Sequence, residues 1–111
     1  MIEIVIRQYL SEHLDVPVLL ERPLKPPDSF VLFEKTGSGK SNQIKSATFA
    51  FQSYAKSMLN AAQLNEKVKD AVDGLISLDV VHRVKLNSDY NYTDTETKEY
   101  RYQAVFDIGH Y

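Results

Sequence analysis

Between residues 100 and 108 the chain alternates strictly. Tyr100, Tyr102, Ala104, Phe106 and Ile108 share one face, and Arg101, Gln103, Val105 and Asp107 share the other. A period of two is the pattern of a half-buried strand. Residues 80 to 86 form a second run rich in β-branched side chains, separated from the first by a polar, threonine-rich stretch at 87 to 99. The two runs predict a pair of strands joined by a long exposed loop. Residues 44 to 54 also alternate, but both of their faces carry apolar side chains. That mixture predicts either a strand covered on both sides or a slight register break. Residues 30 to 35 and 18 to 21 are shorter apolar runs and read as two further strands.

Two segments change period. From 57 to 75, Leu64, Val68, Ala71, Val72 and Leu75 make an apolar stripe, with Leu59 and Ala61 or Ala62 about a turn earlier. Glu66, Lys67, Lys69, Asp70 and Asp73 fall outside it, which predicts an amphipathic helix. Ser57 suits its N-cap, and Gly74 stands where a left-handed C-terminal cap is expected. From 2 to 14, Ile2, Val5, Ile6, Tyr9, Leu10 and Leu14 recur at spacings of three and four. The Ile/Val content also allows a strand, but the spacing persists to Leu14 and favours a helix closed by Pro17. Pro23, Pro26 and Pro27 make residues 22 to 28 an extended surface connection. The small residues at 36 to 42 predict a turn at the tip of a hairpin.

The predicted order is therefore α, β, β, β, α, β, β. It implies one α+β domain over residues 1–111, with a mostly antiparallel sheet of four to five strands packed on one face by two helices. At 111 residues the chain is long enough to bury a core without staples.

Composition narrows the function classes. There are no cysteines, so disulfides and thiolate metal sites are excluded. Charged residues are 25% of the chain and sum to −2, which gives no overall basic footprint for nucleic acid. The apolar runs are too short to span a membrane as a helix. The first ten residues carry Glu3 and no basic leader, which argues against a secretory signal.

The candidate motifs are weak. Thr36-Gly37-Ser38-Gly39-Lys40-Ser41 mimics the end of a phosphate-binding P-loop. That motif needs a glycine five residues before the Gly-Lys pair and a helix after it. Here the first position is Glu34, and a strand is expected to follow. Asp79 after an apolar run could pass for a magnesium-binding aspartate, but a helix end with a turn explains it. His13, His82 and His110 have no ligand spacing. No triad or carboxylate pair stands out, so we expect no catalytic residue, no metal and no cofactor. Tyr90, Tyr92, Tyr100 and Tyr102 cluster among Asp89, Asp94, Glu96 and Glu99 against Lys98 and Arg101. That balance favours cross-strand pairing or a protein interface over base stacking.

Two stretches carry a resemblance. Residues 86 to 108, LNSDYNYTDTETKEYRYQAVFDI, resemble the C-terminal signature of tail-completion, or tail-terminator, proteins of long-tailed bacteriophages. The matching features are Tyr90 and Tyr92, the Thr/Asp turn at 93 to 97, and Arg101-Tyr102 opening the last strand. Residues 49 to 75, where a strand feeds a helix with Ala-Ala and Leu-Asn-Glu, are similar as well. The resemblance implies an α+β subunit of a ring, commonly hexameric, between head connector and tail tube. Its partners would be copies of itself, the tube protein and the connector or stopper protein, with no membrane. DNA would pass through the lumen without specific binding. Its place would be the virion neck, reached from the host cytoplasm. Such proteins have no catalytic residue. Tyr90, Tyr92, Asp94, Thr95, Tyr100, Arg101 and Tyr102 become interface candidates. The rival reading is a small nucleotide- or nucleic-acid-binding module using residues 36 to 41 and the tyrosine cluster at 90 to 102, and a third is a small regulatory protein of the toxin-antitoxin kind.

Overall fold

The computed structural model describes residues 1–42 and 44–111. Helix α1 spans Ile2–His13, and strand β1 is the short pair Val18–Leu19. Strands β2 (Phe30–Ser41) and β3 (Ile44–Ala55) form a hairpin. Helix α2 (Met58–Asp73) follows, with a 3-10 turn at Gly74–Ser77. Strands β4 (Val81–Asn91) and β5 (Tyr100–His110) make a second hairpin. The five strands form one sheet in the order β1-β2-β3-β5-β4. The expected α+β architecture, a mostly antiparallel sheet against two helices, is what the chain adopts.

Both helices lie on one face. Ile2, Ile6 and Leu10 from α1 join Leu64, Val68 and Val72 from α2 in a single buried cluster with Val31, Phe33, Phe49, Phe51, Ala104, Phe106 and Ile108. Phe51 is its centre, stacked on Phe33 at 5.4 Å and edge-on to Phe106 at 5.9 Å between ring centroids. Each such side chain contributes about 1.5–3 kcal/mol by leaving water. The α2 start is set locally: Ser57 is extended, and its hydroxyl accepts the Asn60 amide at 3.1 Å.

Several expectations need correction. The segment at 36 to 41 is not a turn but the outer part of β2, paired with β3 as far as Ser41↔Ile44. The chain reverses at Asn42, whose φ of 51° is a left-handed value that asparagine tolerates. A register shift between Lys35 and Gly37 lets the glycine-rich run stay paired. Likewise β4 continues through Asn91, so the loop before β5 is residues 92 to 99. β1 pairs with β2 in parallel, a departure from the antiparallel order of the other described strand pairs. Gly74 is right-handed, at φ −67°. A Cβ there would meet the Tyr9 hydroxyl, so a larger residue requires the end of that side chain to shift. Leu59 is exposed and lies outside the α2 stripe.

The mixed faces of β3 have the first of the two proposed causes. Its register with β5 is unbroken. Phe49, Phe51 and Ser53 face the helices, while Ala50 and Tyr54 are also buried on the other side. There Tyr54 stacks on Phe30 with ring centroids 4.4 Å apart.

Candidate assembly interface

The helix-free face of the sheet is built by the polar half of each alternation. On β5, Arg101, Gln103 and Asp107 project there, each opposite a partner on β3, and Gln103 and Asp107 also opposite one on β4. Tyr54 donates to Gln52 at 2.8 Å, and Gln52 donates to Gln103 at 2.8 Å. Gln103 in turn meets the Tyr90 hydroxyl, so one chain of hydrogen bonds crosses three strands. A second chain runs from Thr48 to Asp107 at 2.8 Å and from Asn87 to Asp107 at 3.1 Å. The Asn87 and Thr48 donors, in that order, hold the Asp107 carboxyl below its usual value.

Arg101 is the hub of the end of the sheet nearest the 92–99 loop. Its guanidinium lies over Tyr92 at 4.6 Å and over Tyr54 at 5.7 Å. It donates to the Tyr92 carbonyl at 2.8 Å and to Glu99 at 2.9 Å. Glu99 also takes a forked pair of bonds from Arg22, one of them 2.9 Å long. That fork ties the proline segment to the loop. Its hydrogen bonds hold Glu99 below the usual carboxylate range and raise Arg22. In the loop, the Asp94 carboxylate accepts the amides of Glu96 and Thr97, and Lys98 takes a left-handed φ of 59°. The Thr97 and Glu96 amides lower the Asp94 pKa.

The seven interface candidates therefore do not form one surface. Tyr90 and Tyr92 are exposed on the helix-free face as an edge-to-face pair, 6.0 Å between centroids. Arg101 lies beside them, with its donors engaged inside the subunit. Asp94 is bridged to Glu99 at the base of the loop's turn, and Thr95 opens that turn. Tyr100 and Tyr102 are half-buried and project toward the helix side of β5. Sequence reading missed Gln52, Gln103, Thr48 and Asp107. The alternation of β5 had already placed two of these on the shared polar face.

At the opposite end, β2 and β3 run on past the core. Every described residue from 34 to 46 is exposed. Lys40 and Lys45 stand directly across from one another. Two open clefts flank this end. One, of about 400 Å³, is bordered by Lys40, Lys45, His82 and Arg83. The other, of about 520 Å³, lies toward Met1, Lys35 and His110. The P-loop-like residues are strand, and strand follows them, so the helix that the motif requires after its lysine is replaced by β3. His82 lies over Gly109, where any Cβ would meet its ring. Among the described residues no cluster of His, Asp or Glu converges to hold a metal ion, and no helix is long and apolar enough to cross a membrane.

No protein-family model matches this chain, and no curated protein matches it.

Proposed function

We propose that the chain is a ring-forming subunit of a phage neck, a tail-completion or terminator protein that caps the tail tube and joins it to the head connector. The observation that carries this reading is the projecting half of the β2–β3 hairpin. Every described residue from 34 to 46 is exposed, and none of them belongs to the hydrophobic core. Ordering such a segment costs about 1–2 kcal/mol per residue in backbone entropy alone. A neighbouring subunit would supply the missing contacts. The aromatic, polar sheet face and the resemblance of residues 49 to 75 and 86 to 108 support the same reading. The ring would sit in the virion neck after assembly in the host cytoplasm, with DNA passing through a lumen that does not grip phosphate. The net charge of −2 supports a weakly interacting channel.

The test is assembly. Light scattering after size exclusion, with negative-stain microscopy, is expected to show closed rings with a central hole, formed alone or on tail tubes whose growth they stop. A monomer at every concentration that neither caps nor shortens tubes overturns the reading. So does sub-micromolar binding of duplex DNA at physiological salt.

A further inference from the structure

The sheet has two unfinished sides. Its strand order places β1 at one edge and β4 at the other. β1 pairs only with Val31 and Leu32, so among the described strands the outer side of β2 from Phe33 to Ser41 has no partner. The outer side of β4 is open over Val81–Asn91. An open edge presents a row of free N–H and C=O groups, a template for another strand. The Val31 amide donates to Pro17 at 2.9 Å, away from β3, and the Tyr92 amide donates to Arg101 at 2.9 Å, toward β5. Peptide groups alternate in direction along an antiparallel strand. Phe33 and Lys35 therefore point theirs outward from β2, and Asp89 and Asn91 point theirs outward from β4. The register shift between Lys35 and Gly37 carries the same side on to Ser38 and Lys40, which pair with Ala47 and Lys45. On both edges these are residues of the helix face. Val31 and Phe33 belong to the core beneath the helices, and Asp89 and Asn91 bond to Asn65 and Met58 of α2.

That match is what edge-to-edge joining requires. Residues opposed across two paired strands have their side chains on the same face. Setting β2 of one copy against β4 of the next therefore keeps the helices of both copies on one side. Direction agrees as well. β2 and β5 both run antiparallel to β3, and β4 runs antiparallel to β5, so β2 and β4 run in opposite directions. A rotation about an axis along the strands preserves direction, so the new pair is antiparallel, the more stable arrangement. Charge agrees on both faces. On the helix face the β2 edge carries Lys35 and Lys40, and the β4 edge carries Asp89. On the other face the signs reverse, with Glu34 on β2 against Arg83 and Lys85 on β4. Two β2 edges would instead set lysines against lysines, which is unfavourable.

We propose that the free edge of β2 in one copy pairs antiparallel with the free edge of β4 in a second copy, residues 33 to 41 against 83 to 91, with Lys35 opposite Asp89. The two stretches are equal in length, and each contains one irregular position. In this register Gly37 stands opposite Ser88 and Glu34 opposite Tyr90. Lys35 already meets Glu3 at 3.4 Å, and Asp89 meets Lys69, so the new pair joins two existing ones into a row of alternating charge. The inference rests on the ring reading and names the contact that closes the ring. The two edges are different parts of one subunit, so the contact is head-to-tail and propagates to a third copy. Such contacts form rings when the rotation closes.

Because the chain has no cysteine, engineered thiols report the contact without background. A Cβ at Gly37 meets nothing within 4 Å, and Ser88→Cys exchanges a single atom. Full-length Gly37→Cys and full-length Ser88→Cys are mixed and oxidised. The yield of mixed disulfide is compared with that of Gly37→Cys and Leu59→Cys, Leu59 being exposed on α2. The edge pair is expected to cross-link well above this control. Ser38→Pro, added to the Gly37→Cys chain, deletes an outward amide and leaves the ladder with β3 intact. It is expected to lower the yield by about fivefold or more, the factor implied by one backbone hydrogen bond of ordinary net strength. The urea midpoint of the dilute protein is expected to stay unchanged. If the midpoint falls, the comparison without proline decides the contact alone. An unchanged yield with Ser38→Pro overturns the backbone pairing. A Ser88→Cys homodisulfide that outcompetes the mixed one joins two β4 edges and overturns the proposal. A mixed disulfide with Lys85→Cys stronger than that with Ser88→Cys shifts the register and overturns the Lys35–Asp89 contact. A yield equal to the Leu59 control while wild-type protein forms oligomers overturns the edge pairing and leaves the ring reading standing. The same yield with no oligomer on light scattering or on tubes removes both.

Discussion

One hairpin contains two different kinds of structure. In its inner half, Val31, Phe33, Phe49 and Phe51 are buried against the helices, while Phe30 and Tyr54 are buried on the other face, where Arg22 and Arg101 lie over Tyr54. In its outer half, residues 34 to 41 and 44 to 46 are all exposed, yet the strands stay paired to the last residue before the turn. The backbone ladder is the same in both. What differs is the side chains and therefore what holds the strands in place. The inner half is fixed by burial of apolar area, and the outer half by hydrogen bonds and cross-strand pairs alone, each of which is worth about 1 kcal/mol or less. A substitution in one half should act on folding, and one in the other on association.

The sharpest way to break that division is at Phe51. It is fully buried and packs against three other core rings, Phe33, Phe49 and Phe106. Phe51→Ala is expected to cost about 3–5 kcal/mol, enough to unfold a marginal domain, measured as the shift in urea midpoint at unchanged slope. A loss under 1 kcal/mol would mean that the inner half is no better anchored than the outer. Val68 is also fully buried, at the centre of the α2 stripe. Val68→Ala is expected to cost about 1–3 kcal/mol by the same measurement. A cost near zero would place the stripe against a partner and not against the sheet.

The inner half was legible in the sequence and the outer half was not, for a physical reason. Burial imposes a period, and Tyr102, Ala104, Phe106 and Ile108 or Leu64, Val68 and Val72 record it. Where nothing is buried there is no period to read. Thr36 to Ser41 carries only the local preference of glycine and serine for turns, and strand pairing with residues 44 to 48 overrides it. The same holds for Asn87 to Asn91, which are held in β4 by pairing with residues 102 to 105. The candidate interface was half legible. The alternation of β5 put Tyr100 and Tyr102 on the face of Ala104, Phe106 and Ile108, but tyrosine content alone grouped them with Tyr90 and Tyr92, which lie on the other side of the sheet. The Arg22–Glu99 bond joins residues far apart in the chain, and no spacing rule reaches that distance. Gly74 was noticed for a left-handed cap, whereas the structure uses it to admit the Tyr9 hydroxyl.

A smaller effect separates the halves by pH. Glu99 and Asp107 are both held below their ordinary pKa by hydrogen bonds in the folded sheet. A carboxyl lowered on folding contributes stability that is fully present above its unfolded value, near 4, and is lost as pH falls through the folded value. Stability is therefore expected to be level with respect to these groups from neutral pH down to about 5 and to decline below about 4. Glu99→Gln should remove part of that acid slope and cost about 0.5–1 kcal/mol at pH 7, because the ion pair is partly solvent-screened. An unchanged slope in this variant would mean that the Arg22–Glu99 fork does not hold in solution.

The smallest expected effect tests the outer half most directly. Lys40 is exposed and faces Lys45 across the hairpin. Removing its charge deletes a repulsion and no hydrogen bond. Lys40→Ala should therefore leave the unfolding free energy within about 0.5 kcal/mol of wild type, on either side of zero. The same substitution should weaken self-association, because Lys40 lies in the exposed outer half proposed to contact a neighbouring subunit. Equilibrium unfolding and concentration-dependent light scattering on one preparation read both quantities. A destabilisation of several kcal/mol would show that the outer strands are part of the folding unit after all. Unchanged stability with unchanged assembly would leave the projecting hairpin without its proposed role, while unchanged stability with weakened assembly is the outcome expected of strands that serve a neighbour.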